Sequence, residues 1–414
     1  MPGPLAFALD ALIFIGLAWV VWRALGRSIP IAVIPIVIGL LLAATGALPA
    51  SWGVPSTLGD QVGFLGVLLL AFTAGLETRQ SAHLPSAPDA APLPRTQAMR
   101  FIASAGMALL LPFALGTLAA HYYFTGLPGW AAPQGGAWMG ALAIGLCLAV
   151  SALPVLIGIV RELGPLHRPL THLALRIAVI DDAVLWTGLA LLLIAAEGGS
   201  LLDGASSLTG VAMGVLVVLA AAGTLAQRLR AEPPAWLVWL ALPVFLTTGA
   251  WASSHLGLHA LLGAYFGGAM VPSTWTKRLP VERMGQFALI GIAPLFFGHS
   301  GLKIDGSVLG WASLQASLAL LVLAVLAKLA AVLLCPPAST LSRRETLAVG
   351  ALLQCKGLME IVAATILRDK GLLSEHAFAA LVTLAVLSTL LTGPFFRALV
   401  KRRVTADAHG RHAV

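Results

Sequence analysis

Ile177-Ala-Val-Ile-Asp-Asp-Ala-Val-Leu-Trp186 sets two neighbouring acids, Asp181 and Asp182, in the middle of an apolar run from about 170 to 195. A run of that length is what a helix needs to cross a bilayer, about 20 residues. An ionised carboxylate at the centre of hydrocarbon costs about 2.5–3.5 kcal/mol on insertion scales. Nothing structural is gained by placing two of them side by side. The pair therefore marks a place where a cation or a proton binds inside the membrane.

The rest of the chain agrees with a membrane location. Of 414 residues, 59% are hydrophobic and only 10% are charged, whereas a soluble domain carries about 25% charged residues. Thirteen apolar segments are expected to span, at about 6–22, 30–48, 61–77, 99–121, 137–160, 170–195, 207–227, 234–252, 257–273, 284–301, 309–336, 345–367 and 376–397. The loops between them test this division. Every second loop is basic: Arg23/Arg27, Arg79/Arg95/Arg100, Arg161/Arg168, Arg228/Arg230, Lys277/Arg278/Arg283 and Arg343/Arg344, with the tail from Arg397 on the same side. The other loops hold only Lys303, Arg368 and Lys370. Basic loops stay cytoplasmic, so the N-terminus is expected outside and the C-terminus in the cytoplasm. The net charge of +8 then reflects orientation in the membrane, not nucleic-acid binding.

Cys147, Cys335 and Cys355 each lie in an apolar segment and read as small packing residues, not as a disulfide framework or a metal site. The start, Met-Pro-Gly-Pro with Asp10 in the first apolar run, lacks the basic region of a signal peptide, so the first segment is expected to be kept as a helix. No nucleophile–base set and no metal-ligand cluster stands out. An enzyme is therefore not expected, and no cofactor is expected.

Spans 2–6 and 9–13 begin on opposite sides, which suggests two inverted five-helix repeats. The fourth helix of each is interrupted: Ala149-Val-Ser-Ala-Leu-Pro154 in one, Gln354-Cys-Lys-Gly-Leu-Met-Glu360 in the other. Irregular backbone at membrane depth is tolerated only inside protein or along a cavity, and paired interruptions point to a transporter's binding site. The expected fold is an all-α polytopic membrane protein with about thirteen transmembrane helices, two inverted repeats and broken crossing helices. At 1.5 Å per residue, Asp181 lies about 20 Å in from Arg168, Ser151 about 15 Å from Arg161, Lys356 and Glu360 about 18–24 Å from Arg344, and Lys328 about 12–22 Å from its cytoplasmic end. Independent defects would scatter in depth, and these do not.

Neighbouring helical residues point about 100° apart, so Asp181 and Asp182 cannot face one partner. One can pair with Lys328 while the other lines a cavity. Blander readings stand beside this one. A Lys–Asp pair can simply pin two helices; Lys356 and Glu360 can form a structural ion pair; the Ser151 hydroxyl can bond back to its own helix. His121, His255 and His299 lie near span ends and read as interfacial side chains, as do Trp22, Tyr122 and Trp130.

Taken together, Ser151-Ala-Leu-Pro-Val-Leu, Arg161-Glu-Leu-Gly and Ile180-Asp-Asp-Ala-Val-Leu-Trp186 resemble the central signature of the monovalent cation:proton antiporter-2 family. Pro294-Leu-Phe-Phe-Gly-His-Ser-Gly-Leu-Lys-Ile-Asp305, Ala327-Lys328 and Lys356-Gly-Leu-Met-Glu360 are similar to three further family segments. The resemblance implies an ion-carrying core (about 99–195 and 309–397), a scaffold that forms a homodimer (about 6–77 and 234–301), a linker helix (207–227) and a short cytoplasmic tail (398–414). It implies Asp182 as the main cation and proton carrier, Asp181 salt-bridged to Lys328, and Ser151 as a hydroxyl ligand where threonine is common. Ala149 replaces a usual serine. Lys356 and Glu360 would be supporting core charges. Unlike Kef-type potassium efflux systems, the chain has Asp-Asp in place of Gln-Asp and shows no nucleotide-binding tail.

The function expected from all this is antiport of Na+ or K+ against protons in the cell membrane, by alternating access and electrogenic. The alternatives are a cation channel, a Kef-like potassium efflux protein, or a receptor or scaffold that does not transport.

Overall fold

The structure, a computed structural model, describes residues 3–25, 31–81, 95–163, 167–196, 207–228, 233–256, 259–304, 306, 308 and 310–410. Among them there are helices, turns and no strand. In chain order the α-helices are α1 (Gly3–Ala11), α2 (Ala18–Ala24), α3 (Ile34–Thr45), α4 (Thr57–Ser81), α5 (Arg95–Tyr122), α6 (Gly136–Ala149), α7 (Leu153–Leu163), α8 (Arg168–Ala196) and α9 (Ser207–Arg228). There follow α10 (Ala235–His255), α11 (Ala260–Met270), α12 (Ser273–Thr276), α13 (Val281–Phe287), α14 (Ala293–Leu302), α15 (Trp311–Leu334), α16 (Arg343–Leu352), α17 (Gly357–Asp369) and α18 (Glu375–Gly410). Contacts divide the chain into two compact units. Unit 1 is Met1–Pro85 with Trp186–Ser307, and unit 2 is Ser86–Leu185 with Val308–Val414.

All thirteen expected segments contain helix, but among the described residues nine helices are long and apolar enough to cross a bilayer. The remaining four segments differ for two reasons. Those at 30–48 and 257–273 are stopped early. Gly46, in the left-handed region at φ 61°, ends α3, and Val271 turns extended just before Pro272 to end α11. Those at 137–160 and 345–367 are each broken into two half-helices.

Unit 1 is held by backbone-to-backbone approach. A Cβ on Gly263 or Gly267 of α11 would overlap carbonyl oxygens of Gly249 and Phe245 on α10, and one on Gly268 would overlap the Phe72 carbonyl of α4. On α3, a Cβ at Gly39 would strike the Gly298 carbonyl of α14. Lipid gives helices no hydrophobic reason to associate, so they pack through small residues of this kind. Two spans of this unit contain a π-helical turn: Leu12–Leu17 joins α1 to α2, and Ala288–Ile292 joins α13 to α14. His299 and Trp130 correct the interfacial reading. His299 is buried in unit 1 at 1% exposure, and Trp130, in unit 2, is buried against Phe124 with ring centroids 4.8 Å apart.

Unit 2 follows one pattern twice: long helix, broken helix, long helix (α5, α6–α7, α8, then α15, α16–α17, α18). After Ala149 the backbone turns extended at Val150 (φ −83°, ψ 157°) and helix resumes at Leu153. Pro154 thus lies in the first turn of a new helix, where its missing N–H costs nothing; it does not kink an existing one. α16 begins with a capping box, Ser342 and Glu345 exchanging hydrogen bonds. Its successor α17 begins at Gly357, with φ 63°. A Cβ there would lie 2.8 Å from Val155 Cγ2 and 2.9 Å from Ala152 Cβ, so both conformation and space demand glycine.

Candidate functional site: a charged crossing of two broken helices

The two interruptions meet. The Ala152 N–H donates to the Cys355 carbonyl at 2.7 Å, joining the connector between α6 and α7 to the one between α16 and α17. Each break leaves carbonyls at the end of one half-helix without an intrahelical partner, and a helix C-terminus carries partial negative charge. Two lysines occupy that end of α6. Lys356 Nζ donates to Leu148 O and, at 2.9 Å, to Val150 O. Lys328 Nζ, from α15, donates to Ala149 O at 2.5 Å.

Lys328 also binds the acids. Its Nζ lies 2.9 Å from Asp181 Oδ2 and 2.7 Å from Ser151 Oγ, and both charged partners are 0% exposed. The Ser151 hydroxyl stands 2.7 Å from Asp181 Oδ2 and 2.7 Å from the Leu353 carbonyl; with one proton it donates to one at a time. A buried charge pair survives only when its remaining hydrogen-bonding capacity is met. Lys328 meets this with three acceptors, one of them charged.

Asp181, Ser151 and Lys328 are thus brought into direct contact. Asp182, the next residue on α8, is buried at 1% exposure. Lys356 and Glu360 are both buried, but the ion pair between them is not formed. Lys356 precedes α17 and its ammonium goes to carbonyls of α6 and the residue beyond, whereas Glu360 Oε1 and Oε2 have no hydrogen-bond partner among the described residues. Ser151 does not bond back to its own helix, because it lies in the extended connector. Arg176, further towards the start of α8, holds its guanidinium 4.6 Å above the Phe101 ring.

Sequence reasoning missed the backbone part of this site. Leu148, Ala149, Val150 and Leu353 contribute carbonyl oxygens, and their side chains say nothing of it. Gln354 is a smaller omission: its Nε2 reaches Val325 O at 3.3 Å and ties the second connector to α15. In addition, the Gly357 N–H donates to Thr389 Oγ1 of α18 at 3.2 Å. Chemically, the arrangement holds three buried carboxylates and two buried ammoniums around two helix breaks. Asp181 Oδ1 has no hydrogen-bond partner among the described residues. Carboxylate oxygens of this kind can accept either a proton or a small cation.

Half-helices meeting at buried charges inside a membrane bundle are the construction of a secondary transporter. Known proteins agree. The family described as sodium/hydrogen exchanger, transmembrane, is matched over residues 11–402, and the chain belongs to that family. It is 27% identical over 399 residues to the cation/H(+) antiporter 20 of Arabidopsis thaliana, covering 91% of this chain and 44% of that protein. It is 26% identical over 376 residues to the Na(+)/H(+)-K(+) antiporter GerN of Bacillus cereus, covering 88% of this chain and 89% of that one. The chain spans less than half the length of the plant relatives it matches. Among solved structures, the sodium proton antiporter MjNhaP1 of Methanocaldococcus jannaschii shares the fold, with a TM-score of 0.61, 14% identity, and coverage of 95% of this chain and 97% of that one.

Proposed function

We propose that the chain exchanges a monovalent cation, Na+ or K+, for protons across the cell membrane by alternating access, with Asp182 as the carboxylate for which cation and proton compete. One observation carries the reading: Asp181, Ser151 and Lys328 form a buried, mutually bonded cluster at the crossing of two broken helices, with a second acid adjacent. The family match and relatives named for Na+/H+ and for Na+/H+-K+ exchange support it. Deprotonated Asp182 accepts the cation. Protonation then discharges the site and permits the empty return. Asp181 is held by Lys328 until a cation competes for its free oxygen, so both acids and the lysine take part in the exchange. More than one proton then moves per cation, so exchange is electrogenic and responds to voltage at about 2.3 kcal/mol per charge per 100 mV.

On this reading unit 2 carries the ion and unit 1 is the scaffold through which two copies pair. The N-terminus lies outside and the C-terminus in the cytoplasm. In proteoliposomes carrying a pH dye, an imposed Na+ or K+ gradient should drive protons uphill, and Asp182→Asn should abolish the signal. Full activity of that variant would refute the assignment of the carboxylate. Cation flow that never moves a proton uphill would indicate a channel.

A further inference from the structure

Unit 1 holds a second set of buried charges that shares no residue with the crossing in unit 2. Asp10, near the end of α1, is 0% exposed, and its Oδ2 accepts the backbone N–H of Ser56 at 2.8 Å and the Ser56 hydroxyl. His299, on α14, sits between two carboxylates. Its Nδ1 is 2.9 Å from Asp60 Oδ1 on α4, and its Nε2 is 3.1 Å from Asp10 Oδ1. Lys303 closes the row, with Nζ 3.2 Å from Asp60 Oδ1. The Phe14 ring stands edge-on to the imidazole at 5.5 Å. Any side chain at Gly59 would strike Asp10, His299 and Ser56, so the head of α4 is shaped around the cluster.

Proton count decides what this arrangement does. A protonated imidazole has two N–H donors, one for each carboxylate, whereas a neutral ring has one donor and one bare lone pair. Asp60 keeps Lys303 in either state. Asp10 Oδ1 and His299 Nε2 lie 3.1 Å apart as a charge contact, and neither has a hydrogen-bond partner among the described residues. When the ring is neutral, one of the two contacts sets a carboxylate oxygen against a lone pair in a buried space, which costs the full desolvation of an unsatisfied group. The neighbours of α14 offer no other ionisable group near the ring: α3 and the π-helical turns Leu12–Leu17 and Ala288–Ile292 have none, and α4 adds only Asp60 at this end. An unperturbed histidine changes charge near pH 6.5. Two of the three elements tied here adjoin a π-helical turn, a device that often marks functional sites.

We propose that Asp10, His299 and Asp60 form a proton-binding site that fastens α1 to α14 while the imidazole is protonated and loosens α1 when the proton leaves, the two bonds from Ser56 to Asp10 remaining. The site lies towards the membrane face on which the N-terminus emerges, so it reads pH on that side. Its bearing on exchange rests on the proposed function, but the fastening itself does not.

The test is hydrogen–deuterium exchange of the full chain in nanodiscs, corrected for the intrinsic pH dependence of amide exchange, with peptides covering residues 3–24. Protection of the wild type should fall about tenfold, within the cost of an unsatisfied buried polar group, as pH rises from about 5.5 to 8.5 across the histidine range. Asp10→Asn and His299→Gln should each remove this step, and Asp182→Asn should keep it even if it abolishes transport. Asp60→Asn, at the half-exposed rim, preserves the Asp10–His299 contact and should displace the midpoint without removing the step. A wild-type profile flat with pH, or a step that survives in both Asp10→Asn and His299→Gln, overturns the proposal.

Discussion

Removing the ammonium of Lys328 should damage the fold more than removing any other single group in the cluster. In Lys328→Met, Ala149 O and Ser151 Oγ lose their donor, and Asp181 is left as an ionised acid at 0% exposure with only the Ser151 hydroxyl to donate to it. No solvent screens either partner. Breaking a buried pair from one side costs about 3–5 kcal/mol, and we take about 4 kcal/mol. With a melting-point change of about 2 °C per kcal/mol, the lower end of the range because the chain is long, the loss is about 8 °C. Asp181→Asn should cost less, about 2–3 kcal/mol, since the amide oxygen still accepts from the lysine. In the double variant the stranded charge is gone from both sides, so it should be more stable than the sum of the singles by about 2 kcal/mol or more. Thermal unfolding of the purified protein, followed by tryptophan fluorescence, measures all four forms. Additive single losses, with no recovery in the double variant, would show that the pair is not the unit holding the crossing.

Two further outcomes follow from the same geometry. Ser151→Ala removes an acceptor from Lys328 and a donor shared by Asp181 and Leu353 O; it should cost about 1–3 kcal/mol in the same melt, with Ser151→Thr much nearer the wild type. Gly357→Ala forces a left-handed alanine (about 1–2 kcal/mol) into contact with Val155 and Ala152 (about 1–3 kcal/mol more), whereas Gly393→Ala in α18, whose Cβ would meet nothing within 4 Å, should be neutral or slightly stabilising.

Much of the crossing was legible in the sequence because charges in an apolar run cannot be accidental. Asp181, Asp182, Lys328, Lys356 and Glu360 all declared themselves this way, and Pro154 and Gly357 marked where helices would fail. The limits of the breaks were not legible, since Leu148, Ala149, Val150, Leu353 and Cys355 act through carbonyls that every residue possesses. That also hid the partner of Lys356: sequence spacing offered Glu360, and the structure uses Leu148 and Val150. The group around His299 escaped for another reason. Asp10 drew notice only for what a signal peptide lacks, and Asp60 sits 239 residues from the imidazole it binds. Local pattern reads neighbours along the chain, and this cluster has almost none.

The two lysines at the end of α6 carry a consequence for how the protein can work. The Lys328 ammonium neutralises Asp181, and both ammoniums stopper the exposed peptide dipoles of a truncated helix. Charge and backbone shape at that point are therefore tied together: on the proposed exchange, an ion or proton that altered what the lysines must balance would free or grip the loose end of the helix in the same event.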